Sequence, residues 1–215
     1  MRLLDQKKVP YTPHTYPHGD DAVDGVTVAQ MTGMDPAKVF KTLVARGASK
    51  TPYVFVIPVA CELDLKKAAK AVGEKSIAML HVSELTPLTG YVRGGCSPVG
   101  MKKQLRTVFA SQALAQETIL VSAGKIGYQV ELAPRDLAAL VREQIETEML
   151  SDFQEALAPL ISQKKDRITP TDITAGIFRC LRENSDICAA TLGKYGDRDF
   201  LTHLIDLGRD SCMKG

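Results

Sequence analysis

Strand-forming runs are confined to one part of this 215-residue chain. Val54-Phe55-Val56-Ile57 and Thr118-Ile119-Leu120-Val121 are rich in β-branched residues and of strand length, and Tyr128 to Leu132 alternates apolar with polar side chains. Residues 150–215 contain no convincing strand; Leu150, Phe153, Leu157, Leu160 and Ile161 recur there at helical spacing. This distribution predicts an α+β unit over residues 1–146 and an all-α unit over 147–215. The change of character falls near residues 143–150, inside or at the end of a helix.

Helix signals lie between the strand runs. Thr27-Val28-Ala29-Gln30 fits a capping box before a short helix, and Asp35-Pro36 fits an N-cap followed by proline at the first helical position. Asp64 to Gly73 reads as a capped helix ending on glycine. With no regular βαβ spacing, the expectation is a compact mixed sheet with surrounding helices rather than a doubly wound one. Pro134 opens a helix through Leu137, Leu140, Val141 and Ile145. Thr169-Pro170-Thr171-Asp172 starts another, with the apolar face Ile173, Ile177, Phe178 and Leu181; a last one presents Phe200, Leu201, Leu204, Ile205 and Leu207.

Charge divides along the same line. Residues 1–143 carry 18 Lys and Arg against 13 Asp and Glu, net +5, and residues 144–215 carry 9 against 12, net −3. A polyanion would prefer the first unit, though an excess this small argues only mildly for nucleic acid. No apolar stretch approaches the ~20 residues a membrane span needs, and no signal peptide opens the chain. Cys61, Cys96, Cys180, Cys188 and Cys212 are odd in number and include no Cys-x-x-Cys pair, which predicts reduced thiols in a cytoplasmic protein.

The most unusual segment is Gly94-Gly95-Cys96-Ser97-Pro98-Val99-Gly100-Met101-Lys102-Lys103. Adjacent glycines let a backbone approach a ligand with its N–H groups pointing outward, where they could hold an oxyanion or polarise an ester carbonyl. Gly-Gly and Ser-Pro also mark ordinary surface turns. Lys41 is one charge in the apolar run Val39-Phe40-Lys41-Thr42-Leu43-Val44, either lining a pocket wall or exposed in plain strand alternation. Lys66, Lys67, Lys70 and Lys75, and Lys102, Lys103 and Arg106, could follow a phosphate backbone or simply be solvated faces. Cys96 is a candidate nucleophile with no obvious histidine partner. His14 and His18 flank Pro17 and read as polar residues near a turn, so no metal site is expected.

These segments together resemble the YbaK/EbsC family of aminoacyl-tRNA deacylases, related to the editing domain of bacterial-type prolyl-tRNA synthetases. The likeness runs through His14-Thr15-Tyr16, Val39 to Val44, Leu63 to Lys70, Gly90 to Gly100 and Val121-Ser122-Ala123-Gly124-Lys125. It implies the editing-domain fold and hydrolytic proofreading, typically of cysteine misattached to proline tRNA. The substrate's own thiol attacks its ester carbonyl, with no enzyme nucleophile and no cofactor. Lys41 matches the family's essential lysine, and Gly94 the glycine whose backbone polarises the carbonyl. Tyr16, Thr42, Gly95, Ser97, Ser122 and Gln129 are the implied substrate-binding positions, and Lys66, Lys67, Lys70, Lys102 and Lys103 the candidates for tRNA contact. The implied partner is the acceptor end of aminoacyl-tRNA, with prolyl-tRNA synthetase a second. Gln129 stands where several members have an aspartate and Asp24 where many have an aromatic residue, departures that bear on amino-acid specificity.

Residues 148–215 resemble the C-terminal regulatory domain of TetR-type regulators. The stretches that carry this are Arg167 to Ile173, Leu181 to Cys188 and Leu192 to Leu201. No helix-turn-helix precedes them and the chain stops soon after Cys212, so an incomplete regulatory unit without DNA binding is expected. The competing function is a non-catalytic module that binds tRNA or an aminoacyl ester, with the helical part sensing a ligand or mediating assembly.

Overall fold

The apolar run Val54 to Ile57 forms the middle of a hairpin. β3 (Pro52–Pro58) lies antiparallel to β2 (Phe40–Gly47), with Lys41 opposite Ile57 and Ala45 opposite Tyr53. In this computed structural model the described residues are 1–19 and 21–163, with Thr171, Ala175, Arg179 and Arg182 as single helical positions. The expected helix face Ile173, Ile177, Phe178 and Leu181, the last helix from Phe200 and the stretches resembling a regulator domain lie outside them. The chain divides into two compact units, Met1–Val141 and Arg142–Gly215.

The hairpin is extended on both sides. β4 (Ile77–Met79) joins β2 antiparallel and β5 (Thr107–Phe109) joins β3 parallel, giving the order β4-β2-β3-β5. A second ladder, β1-β7-β6, is built from β1 (Thr12–Thr15), β7 (Tyr128–Leu132) and β6 (Ile119–Lys125), all antiparallel. The expected mixed sheet is thus two ladders, which touch through one parallel bridge between Val39 and Leu120. Leu120 is fully buried there against Ala29, Val39 and Val59.

Helices cover the ladders where the sequence supplies caps. α3 (Leu65–Val72) starts on Asp64, whose carboxylate accepts the Lys66 and Lys67 amides, and stops on Gly73 at φ +81°. Its Ala68, Ala69 and Val72 pack on Ala45, Tyr53, Phe55 and Ile77, while Lys66, Lys67 and Lys70 face solvent. α2 (Gly25–Thr32) begins earlier than the capping box predicts. Asp24, not Thr27, is its N-cap, its Oδ1 accepting the Val26 and Thr27 amides while the Thr27 hydroxyl donates to its Oδ2. Asp35 caps a single 3₁₀ turn, Pro36–Lys38, as read from Asp35-Pro36. α6 (Pro134–Gln163) runs unbroken through the region where the character of the sequence changes. Among the described residues no helix is long and apolar enough to cross a membrane.

Several short elements carry no sequence signal. These are α1 (Arg2–Gln6), β1, β4, α4 (Val82–Thr89), β5 and α5 (Ser111–Leu114). α4 holds Pro87 in its interior, which removes a helix donor and argues against helix from sequence alone. β4 and β5 are three residues each, held by the neighbouring strand rather than by their own propensity.

Because Leu120 fills the junction of the ladders, Leu120→Ala should lower stability by about 2–5 kcal/mol, read as an earlier urea midpoint with an unchanged slope. A loss below about 1 kcal/mol would mean that the junction collapses to fill the space.

Candidate active site

A cavity of about 440 Å³ opens beside the junction of the two ladders. Its wall includes Lys41 and Thr42 of β2, Ser122 of β6, Gln129 of β7, Tyr16 just beyond β1, and Gly94. Residues from five separate stretches of sequence therefore meet at one hollow. The β6–β7 register places Ser122 directly opposite Gln129. Tyr16 is tied in by its amide, which donates to the Gly127 carbonyl at 3.0 Å.

Lys41 is half-buried, and its Nζ donates to the Val59 carbonyl oxygen at 3.1 Å. An ammonium has three donors, so two remain for a ligand. The Thr42 Oγ1 atom is buried and has no hydrogen-bond partner among the described residues. An orphaned buried hydroxyl costs about 1–3 kcal/mol.

The glycine-rich segment follows α4 and folds as a tight turn. The Gly95 amide donates to the Val92 carbonyl at 3.0 Å, and Gly94 sits third in the turn at φ +83°, as a type II turn requires. A Cβ on Gly94 would lie 2.7 Å from the Ala22 Cβ, so only glycine fits. Among the described residues nothing accepts from the Gly94 N–H.

The loop is fastened by Tyr91. Its hydroxyl donates to the Val99 carbonyl at 2.7 Å and lies 3.0 Å from that of Gly100. Burial pushes the Tyr91 phenol up from its ordinary value, keeping it a donor. Its ring crosses Gly124, in the bulge where β6 slips against β7 between Ser122 and Lys125.

Not every expected position reaches the hollow. Gly95 and Ser97 are buried in the turn and do not line the cavity; the Ser97 hydroxyl accepts from the Val99 amide at 3.4 Å. Lys66, Lys67, Lys70, Lys102 and Lys103 are exposed and outside the cavity wall, with Lys67 Nζ 3.6 Å from Asp64. Asp24 does line it, as the cap of α2. Sequence reasoning missed Arg93, Met79, Leu80, Val82 and Leu85, which complete the wall. Arg93 was visible inside the quoted Gly90 to Gly100 segment; the others sit on elements with no sequence signal.

Beside Gln129 lies a polar pair. His14, opposite Gln129 in register, has its Nε2 3.0 Å from Glu131 Oε2, and Thr118 Oγ1 donates to the other carboxylate oxygen at 2.6 Å. The Thr118 hydroxyl first, then His14, holds the Glu131 carboxyl below its ordinary value. Among the described residues no group of three or more His, Cys, Asp or Glu side chains converges on a metal position.

Comparison with known proteins agrees with this geometry. The family model "Aminoacyl-tRNA editing domain" matches residues 20–140, more than half of the chain. A curated relative in Enterococcus faecalis, "Putative Cys-tRNA(Pro)/Cys-tRNA(Cys) deacylase EbsC", is 47% identical over 144 residues, covering 67% of this chain and 88% of the relative. Two crystal structures share the fold. One, "a putative trans-editing enzyme for prolyl tRNA synthetase", has TM-score 0.56 at 24% identity and covers 65% of this chain and 87% of its own. The other, "hypothetical protein APE2540", has TM-score 0.58 at 20% identity and covers 65% and 91%.

Cys96 lines the cavity but is buried, and burial pushes its thiol from 9.0 up to about 12. This corrects its candidacy as a nucleophile, since the thiolate is the reactive form. Site-resolved alkylation with iodoacetamide at pH 8 should therefore modify exposed Cys61 and leave Cys96 unmodified in the folded protein. The unfolded chain loses the thiol proton first, so Cys96 should make stability fall as pH rises from about 9 toward 12. Rapid alkylation of native Cys96 would contradict both expectations.

Proposed function

The chain belongs to the aminoacyl-tRNA editing domain family, and on that premise we propose that it deacylates mischarged tRNA, with Cys-tRNA(Pro) as its main substrate. The observation that carries this is that Lys41, with two N–H donors to spare, and Gly94, whose N–H is unengaged among the described residues, share the wall of one cavity with Thr42. The Lys41 ammonium and the Gly94 N–H are hydrogen-bond donors for an ester carbonyl, and neither an ammonium nor an amide is a nucleophile.

Such a site suits a substrate that brings its own nucleophile. The cysteinyl thiol forms a C–S bond to its ester carbonyl. Negative charge collects on the carbonyl oxygen, where Lys41 and the Gly94 N–H can hold it. The C–O bond to the terminal ribose then breaks, and the thiol proton ends on the departing ribose oxygen. The resulting four-membered thiolactone adds water and opens to free cysteine. Proximity and oxyanion stabilisation are all that the protein supplies.

Tyr16, Ser122 and Gln129 shape the amino-acid end of the cavity in this reading. The activity is assigned to residues 1–146, a reading supported by the division of the chain into compact units after Val141. Prolyl-tRNA synthetase, the source of a mischarged proline tRNA, is the proposed partner, and the cytoplasm the proposed setting.

Deacylation should be measured on a panel of Cys-, Ala- and Pro-charged proline tRNAs. The expected result is fastest release of cysteine, with Lys41→Ala lowering kcat by about 10²–10³-fold, the cost of losing one oxyanion donor. Cys-tRNA(Pro) that is bound tightly but decays only at the rate in buffer would replace the deacylase with a binding module.

A further inference from the structure

We propose that the β4–α4 rim of the cavity seats the substrate's terminal nucleotide, with its base on Met79 and Val82 and its phosphate on Arg93. The proposal rests on the deacylase reading and extends it from the amino acid to the nucleic acid. An aminoacyl ester is joined to the terminal ribose. Once the carbonyl reaches Lys41 and Gly94, a nucleoside must stand at the mouth of the hollow. A volume of about 440 Å³ is in the range that holds whole small ligands (~300–1,000 Å³), far more than one cysteinyl group fills.

The rim has the chemistry a base requires. Met79 ends β4, Val82 begins α4, and both line the cavity while remaining 47% and 56% exposed. Single exposed apolar side chains are common on any protein. Here two sit on adjoining elements at one edge of one cavity, with Leu80 and Leu85 completing the same wall. A stacked base would take this apolar surface out of water without discriminating sequence. The rim is also held in place. The Leu80 amide donates to the Val44 carbonyl at 3.0 Å, and Arg46 reaches from β2 to Glu84 of α4 at 2.6 Å.

Charge points the same way. Among the described residues Lys41 and Arg93 are the two cationic side chains in the cavity wall. Lys41 is anchored by Val59, at the carbonyl end of the site. Arg46 is engaged by Glu84, and Arg106 by the Val72 and Ala71 carbonyls at the end of α3. Arg93 is exposed, with no partner among the described residues, and stands next to Gly94. A planar guanidinium in that position fits a phosphate oxygen pair.

The test is steady-state deacylation of Cys-tRNA(Pro) by the full chain and by Arg93→Ala, Arg93→Lys and Val82→Asp, over a range of salt. These positions are exposed, so folding should be kept, which circular dichroism checks. Arg93→Ala and Val82→Asp should each raise KM about tenfold with kcat within twofold, the pattern of a lost uniform binding contact. Arg93→Ala should also flatten the dependence of log KM on log salt by about 0.7, one single-strand phosphate contact, and Arg93→Lys should restore the slope. For both damaged variants, kcat/KM on Cys-tRNA(Pro) relative to that on cysteine methyl ester should fall about tenfold, because the small ester has no nucleotide. Wild-type KM and salt slope in Arg93→Ala and Val82→Asp would overturn the seat while leaving the deacylase intact, and so would equal losses on both esters. A wild-type protein that releases no cysteine from Cys-tRNA(Pro) would remove the deacylase reading, and the seat with it.

Discussion

Everything in the site follows from one parallel bridge. Val39 and Leu120 join two ladders that are otherwise separate. Lys41 lies two residues beyond Val39, and Ser122 two beyond Leu120. Because the bridge is parallel, both strands carry those side chains away from it in the same direction, to the same hollow. An antiparallel bridge at the same residues would send one of them away from the other. The buried cluster of Ala29, Val39, Val59 and Leu120 fixes this geometry, and Val59 then uses its carbonyl to hold the Lys41 ammonium. Packing and positioning are the same contacts here.

Opposite the bridge, the glycine loop works by close approach. Gly94 has room only without a Cβ, because Ala22 stands against it, and Tyr91 fixes the loop to itself and to the β6 bulge at once. A donor fixed in this way does not have to reorganise as charge develops on a substrate, which is how such donors gain strength in a partly dry site. Flexible backbone chemistry and rigid placement are usually in tension. Here the turn supplies the first and an aromatic strut the second.

Legibility of the sequence varied with how local each feature is. Helices with strong caps, such as Asp64 to Gly73, are readable because a few neighbouring residues determine them. The strands β3, β6 and β7 are readable from apolar runs. α4 was hidden by Pro87, and β4 and β5 by their length, so the whole Met79–Leu85 wall of the cavity was invisible to pattern reading. Among site residues, Lys41 and Gly94 drew attention as a charge in an apolar run and as a doubled glycine. Gly95 and Ser97 follow Gly94 in sequence but not in space: in a tight turn neighbours point in different directions, and these two are buried outside the cavity wall. Thr27 misled for a related reason. A good capping residue was present, but Asp24, three positions earlier, caps better.

With the proposed cysteinyl substrate the cavity would hold a second sulfur beside that of Cys96, a hazard that burial answers. Two thiols in one cavity invite a mixed disulfide, which would plug it with the proposed substrate under oxidising conditions. With the Cys96 thiol pushed up to about 12, its ionised fraction near neutrality is on the order of one in 10⁵. Exchange and oxidation both start from the ionised form, whose population is about 10³-fold below that of a thiol at the ordinary 9.0. The same burial that makes Cys96 a poor nucleophile shields it from that side reaction.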